Sequence, residues 1–312
     1  MCSSWFFGER LIYIYNVEVG IFMELILSTL INGLSLGGIY AMIALGYTMV
    51  YGIAKMLNFA HGDVIMIGGY LIYVFMATQN PLLAVLLAVV GCVALGIVIE
   101  KVAYKPLRGA SPLAVLITAI GVSYLLQSLA QIIFGSAPKM VTVYDFGSVQ
   151  FLGATVQVSA LVTLGVTILV MAALTLFVKY TRLGRAMIAV SEDRSAAQLM
   201  GINVNGIITV TFAIGSALAA LAGLFYLLKA PSVSSTLGAM PGIKAFTAAV
   251  IGGIGSIPGA MLGGILLGIV ECVSYKITAI APYTDAIEFS ILILILLVRP
   301  TGFLGKKRRE KV

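Results

Sequence analysis

LLAVLLAVVGCVALGIVIEKVAY, residues 82–104, carries no charged side chain from Leu82 to Ile99 and no alternation of polar with apolar positions. A helix over that uncharged stretch rises about 27 Å, close to the roughly 30 Å of bilayer hydrocarbon. Lipid offers no water to an unpaired peptide group, so a continuous apolar run at membrane depth satisfies its backbone internally, as helix. The strands of a membrane barrel would alternate apolar with polar residues, and this stretch does not. Eight further apolar segments follow the same reading: 24–46, 63–78, 112–134, 158–180, 206–228, 243–255, 258–276 and 283–299. The short 243–255 piece is read as a half-helix or a crossing. The composition agrees: 61% of the 312 residues are hydrophobic and 10% charged, against about 25% charged in soluble domains, and mean hydropathy is +1.10. The 34 glycines suit close helix approach in lipid. The fold expected is an all-α polytopic membrane protein of about 8–9 transmembrane helices, some of them broken.

The net charge of +7 does not mark a nucleic-acid binder. Lys101, Lys105 and Arg108 flank one loop, Lys179, Arg182, Arg185 and Arg194 another, and Lys306, Lys307, Arg308, Arg309 and Lys311 form a basic tail, 305–312. Basic residues gathered at helix ends set topology, so these three regions are expected in the cytoplasm and 135–157 outside, as a small hairpin around Gly147-Ser148. Cys2, Cys92 and Cys272 have no metal or redox spacing. Residues 1–22 lack a clean apolar stretch and read as an N-terminal extension, with Met23 as the natural start of a transmembrane domain over 23–304.

Residues 31–70 contain a long span, a polar break at Asn58–Asp63 and a short apolar piece ending Gly68-Gly69. Residues 213–253 repeat the scheme, with a break at 231–242 and an ending at Gly252-Gly253. With 158–180 as connector, the two halves point oppositely, an inverted repeat with broken helices as transporters use. Between spans, TRLGRAMIAVSEDRSAAQLMGINVNG (181–206) is too long for a tight turn. Ser191 is read as N-cap, with Glu192 and Asp193 in a first turn favoured by the helix dipole and Gly201 as a left-handed stop. The loop, 182–204, is thus expected to hold a capped helix of about ten residues, some 15 Å long, preceded by a second over 184–190. It forms a knob suited to a partner's groove.

At this loop the chain resembles a known family. GRAMIAVSEDRSAAQLMGINV followed by TFAIGSALAALAG is similar to the coupling loop of permease subunits of branched-chain amino acid ABC importers, of the H type. NGLSLGGIYAMIALGYTMVYGIAKMLNFAHGDVIMIGGY, FTAAVIGGIGSIPGAMLGGILLGIVE and RPTGFLG resemble the rest, over residues 23–312. The resemblance implies a multi-pass protein of the bacterial inner membrane that translocates leucine, isoleucine or valine. It implies a second homologous permease in a heterodimer, two ATPase subunits, and a periplasmic or lipid-anchored substrate-binding protein. Glu192, Asp193, Arg194, Ala196, Ala197 and Gly201 carry over as the ATPase contact. No G-x-x-x-x-G-K-[ST] occurs, and the glycines from Gly252 to Gly259 lack the lysine of a phosphate cradle, so ATP is expected on the partner subunits and no cofactor in this chain.

Among polar residues within the apolar segments, Asn58, His61 and Asp63 are read either as a translocation-pathway element or as helix caps with His61 bonded to a carbonyl. Glu100 is read as interfacial; Glu271 and Glu288 are read either as facing the protein interior or, as is commoner, as solvated at span ends. Gln127 and Gln131 share a helix face, read as bonding a neighbouring helix. Tyr40, Tyr47 and Tyr51 read as packing residues. His61 is the only histidine, which argues against a metal site, and no nucleophile–base pair stands out, so the chain is not read as an enzyme. The alternatives are a same-family permease for urea, short amides or another solute, an ion-coupled secondary carrier with His61 and Asp63 as its coupling site, and a channel or structural membrane scaffold, which the loop's knob argues against.

Overall fold

The helix starts follow from a repeated device in the sequence: a short polar residue that caps, then a proline or glycine. Asn80 accepts from the Leu83 amide (3.3 Å) ahead of Pro81, and Ser111 accepts from Ala114 (3.3 Å) ahead of Pro112. Asn203 accepts from Gly206 (3.0 Å) and Ser256 from Gly259 (3.3 Å). Each satisfies an amide that a helix start would leave unpaired, worth about 1 kcal/mol.

The computed structural model describes residues 3–76, 80–141, 146–151 and 154–305, with side chains from Glu24 onward except those of Phe151 and Ala154. The 1–22 extension's side chains and residues 306–312 of the basic tail lie outside that set. The helices are α1 (Ser3–Ala54), α2 (His61–Phe75), α3 (Pro81–Ile99), α4 (Pro112–Phe134), α5 (Val158–Tyr180), α6 (Arg182–Glu192), α7 (Arg194–Leu199), α8 (Val204–Lys229), α9 (Ala239–Gly252), α10 (Ile257–Lys276) and α11 (Thr284–Val298). A single π-turn, Glu100–Tyr104, and a 3-10 turn, Lys105–Leu107, extend α3. Seven helical stretches among the described residues are long and apolar enough to cross a membrane; α2 and α9 are apolar but shorter. Both short segments, 63–78 and 243–255 in the sequence reading, are therefore half-length helices.

The termini of these helices gather at two ends. At the basic end lie Arg108, bonded to Asn205 ahead of α8's body, the α6–α7 knob, the α1 C-terminus and the 253–256 turn, which takes in the segment after α11: Phe303 and Leu304 donate to the Ile251 and Gly252 carbonyls (2.9 Å each). At the opposite, hairpin end, β2 (Ser148–Phe151) pairs antiparallel with β3 (Ala154–Gln157), and β1 (Lys139–Met140) with β4 (Ser232–Val233). The sequence reading centred the hairpin on Gly147-Ser148. The strands instead flank positions 152–153, and Gly147, at φ +68, sits before β2, closing the hairpin's open end by accepting from Val158 N (3.1 Å).

The core is built by two crossings that mirror each other. Helix α1 packs along α10, and α8 along α3; α1 also meets α9 as α8 meets α2. With α1–α4 and α8–α11 as the two halves, each first helix packs on the other half's third and half-helix, which is the pairing a two-fold repeat requires. Glycine makes the α1–α10 contact close: a Cβ on Gly37 would lie 2.7 Å from the Ile265 Cα, and Cβ atoms on Gly264 and Gly268 would fall on the α1 backbone at Ala41 and Gly37. Helix α1 ends where Lys55 adopts φ +54, and 55–60 returns to start α2. Helix α9 runs oppositely to α2. Their N-termini meet, Gly62 against Gly238 and Gly242, with the Gly242 Cβ position 3.0 Å from the Gly62 Cα.

Candidate functional site

The knob at the basic end is two helices meeting at Asp193. The cap is not Ser191, whose hydroxyl bonds back to Ile188 O (2.7 Å) within α6. Asp193, with φ −150, accepts from the Ala196 amide (3.0 Å) and starts α7. Ser191 loses this role because α6 continues through Glu192, so Glu192 closes one helix instead of opening the next. Gly201 has φ +80, a left-handed conformation that costs other residues about 1–2 kcal/mol, and Ile202 N donates back to Ala197 O (3.0 Å). Ala197 is the buried root of α7; Glu192, Asp193 and Ala196 are exposed, and Leu199 and Met200 stand out at 89% and 83% exposure.

Arg194 faces inward. Its guanidinium donates to the carbonyls of Ile53 (3.0 Å) and Ala54, the last turn of α1. A cation there complements the helix's negative end. Burial, and after it the neighbouring Arg108, lower its pKa from the ordinary arginine value, and arginine keeps its charge regardless. The knob is thus tied to the core's longest helix. Beside it, Glu100 is fully buried rather than interfacial, because the π-turn aims it at α8: it accepts from Arg108 and from the Thr209 hydroxyl (2.8 Å).

The structure separates Asn58, His61 and Asp63. Asn58 accepts from Tyr104 OH (2.8 Å) and caps nothing; Ala60 holds the α2 cap position without a side-chain bond. His61 is 1% exposed, bonded to the Ile43 backbone and edge-on to Tyr47 (4.8 Å), its Nε2 aimed at Gly46 with no hydrogen-bond partner. Asp63 accepts from Gln127 (2.9 Å) and alone of the three lines a crevice of about 270 Å³, with Ser123, Gln127, Gly62 and Gly242, where the half-helix N-termini meet. Gln131 donates to Ser235 (3.1 Å), so both glutamines bond neighbouring segments.

A larger cavity, about 930 Å³, opens between α1, α5, α8 and α10 beneath the hairpin. Its size falls in the range of about 300–1,000 Å³ typical of small-molecule sites. Ser28, Thr29, Asn32 and Ser35 line one side, Ser159 and Thr163 the other, and Lys229 and Lys276 also border it. The sequence reading passed over these residues, although Ser28, Asn32 and Ser35 at i, i+4 and i+7 form a polar stripe on an apolar helix. It also passed over Lys244, which three acids surround, Glu271, Asp285 and Glu288. Glu271 and Glu288, expected to be solvated, are 7% and 0% exposed, because a lysine on another helix reaches them. Tyr40 is more than packing: its hydroxyl donates to Glu271 (2.6 Å). Among the described residues no three His, Cys, Asp or Glu side chains form a metal-type group.

Half-helices meeting N-terminus to N-terminus, two oppositely running halves and a polar cavity between spans define a membrane transport permease. A family model described as the permease component of the branched-chain amino acid transport system matches residues 29–296. The permease protein BraD of the high-affinity branched-chain amino acid transport system of Pseudomonas aeruginosa is 45% identical over 92% of this chain and 98% of its own length. LivH of Escherichia coli, of the same description, is 44% identical over 92% and 97%. A protein described as a probable branched-chain amino acid transport permease, LivH of Methanocaldococcus jannaschii, is 30% identical over 85% and 88%. The chain belongs to the branched-chain amino acid transport permease family, a family of transport subunits and not of enzymes.

Proposed function

We propose that this chain is one of two permease subunits of an ABC importer that moves branched-chain amino acids across the bacterial inner membrane. The observation that carries the coupling role is the α6–α7 knob, capped by Asp193, stopped by Gly201, presenting Leu199 and Met200 outward and bound inward to α1 by Arg194. A small rigid helix with an exposed apolar tip docks in a groove, and here the groove belongs to a separate ATPase subunit, which also holds the ATP. The basic end is then cytoplasmic, by the positive-inside rule, and the hairpin end faces a substrate-binding protein. Closure of the ATPase pair pushes the knob, Arg194 passes the displacement to α1, and the two halves rock about the Gly62–Gly238 crossing. The hydroxyl-lined cavity is the outer part of the route, completed by a second, homologous permease. Its wall offers hydrogen bonds to a zwitterionic backbone, and Lys229 and Lys276 favour the carboxylate end.

The test is uptake in proteoliposomes holding the whole importer. Glu192→Lys and Gly201→Pro are expected to abolish ATP-driven leucine uptake while the chain still inserts in the membrane. Normal uptake in both variants refutes the coupling role. Uptake that survives removal of the ATPases and collapses with an ion gradient refutes the importer reading.

A further inference from the structure

Lys244, on half-helix α9, is 5% exposed and lies 3.2 Å from Glu271 Oε2 on α10 and 3.2 Å from Glu288 Oε2 and 2.8 Å from Asp285 Oδ1 on α11. The Asp285 side chain is 49% exposed and keeps its water. Glu271 and Glu288 do not, so the enclosed part of the group holds one cation and two carboxyls. If both carboxyls were ionised, a net negative charge would be enclosed within a lipid-embedded bundle, which is costly. The hydrogen bonds make the same point independently. Glu271 Oε2 already takes the Tyr40 hydroxyl (2.6 Å). Both Glu288 oxygens are buried; Oε2 meets Lys244 at 3.2 Å, the same nitrogen that Glu271 Oε2 meets at 3.2 Å, and neither Glu288 oxygen has an aligned hydrogen bond. Two carboxyls crowd one ammonium, and two ionised carboxylates, being acceptors only, cannot bond each other. Placed on Glu288, a proton turns an acceptor into a donor toward Glu271 and brings the enclosed charge to zero.

We propose that Glu271 and Glu288 share one resident proton, so that Tyr40, Lys244, Glu271 and Glu288 form a neutral proton-holding clasp that pins α9 to α1, α10 and α11. The other titratable groups facing the clasp are Tyr226 from α8, Cys272 and Tyr275 from α10 and Asp285 from α11. None supplies a second enclosed cation. The clasp fixes the half-helix whose first turns, at Gly238 and Gly242, lie against Gly62. It holds whichever solute the permease carries. The native fold takes its proton from water and returns it on unfolding, so stability falls as pH rises until the fold itself releases the proton.

Infrared spectroscopy of the full chain in lipid nanodiscs at neutral pH tests this. The difference spectra of wild type minus E288Q and wild type minus E271Q are each expected to show the C=O stretch of one neutral carboxyl, sensitive to deuteration. Removing either acid leaves the other as a carboxylate on Lys244, so the band is lost in both variants. K244M, which removes the cation, retains it. Thermal melting of E288Q, whose amide mimics the neutral acid, is expected to match wild type near pH 4, where free glutamate is also protonated, to exceed it at neutral pH, and to lack its decline with rising pH. If E288Q does not fold, the E271Q spectrum decides. Difference spectra containing only ionised carboxylate bands overturn the shared proton, as does a decline with rising pH that is as large in E288Q as in wild type.

Discussion

Arg194→Ala removes a side chain that bonds the knob to the end of α1. In the folded protein its guanidinium donates to Ile53 O at 3.0 Å and to Ala54 O. Hydrogen bonds to charged groups contribute about 1.5–3 kcal/mol, and a cation at a helix C-terminus adds roughly 0.3–1 kcal/mol. Arg194 is partly exposed, which discounts the sum for solvent screening; about 2 kcal/mol is a working figure. If that energy couples the knob's motion to α1, transport per ATP hydrolysed falls about 30-fold, since about 1.4 kcal/mol is tenfold. The assay is leucine uptake and phosphate release measured together in proteoliposomes of the whole importer. Phosphate release is expected to persist, because the proposed docking face with Leu199, Met200 and Glu192 is left intact. Arg194→Lys keeps the charge but not the planar fork, so an intermediate loss is expected. The reasoning is refuted if Arg194→Ala leaves the uptake-to-hydrolysis ratio unchanged, or if uptake and hydrolysis fall in equal proportion, which would mark a docking defect.

Other perturbations test other levels of the structure. Gly268→Ala places a Cβ on the Gly37 backbone at the α1–α10 crossing, and overpacking of this kind costs about 1–3 kcal/mol; a lower melting temperature in detergent measures it. Tyr104→Phe leaves the buried Asn58 oxygen without its 2.8 Å donor and is expected to cost about 1–3 kcal/mol, read by the same melt, with the knob's accessibility to labelling unchanged. Asn32→Leu or Thr163→Leu fills the polar cavity with a branched apolar chain; uptake is expected to fall while stability holds or rises, and unimpaired uptake in both places the route elsewhere. Gly201→Ala, at φ +80, is expected to loosen the knob's last turn by about 1–2 kcal/mol, seen as faster amide exchange at Ile202.

Residues 82–104 and the runs like them determined the all-helical membrane fold by themselves, because the need to satisfy backbone groups in lipid acts locally along one segment. The same locality made the knob legible: Gly201 and the existence of a capped helix follow from residues a few positions apart. Even there, the choice between Ser191 and Asp193 as cap depended on how far α6 continued. What only the tertiary structure decided is which polar groups meet. Nothing in the spacing of Lys244, Glu271 and Glu288 says that they touch, and Glu100 reads as interfacial until a π-turn aims it at Thr209. Asn58, His61 and Asp63 are neighbours in sequence, yet Asn58 serves Tyr104, His61 packs on Tyr47, and only Asp63 of the three lines the crevice where the half-helices meet. A charge enclosed by lipid is tolerable only through its partners, and those partners come from helices that packing, not sequence proximity, brings together.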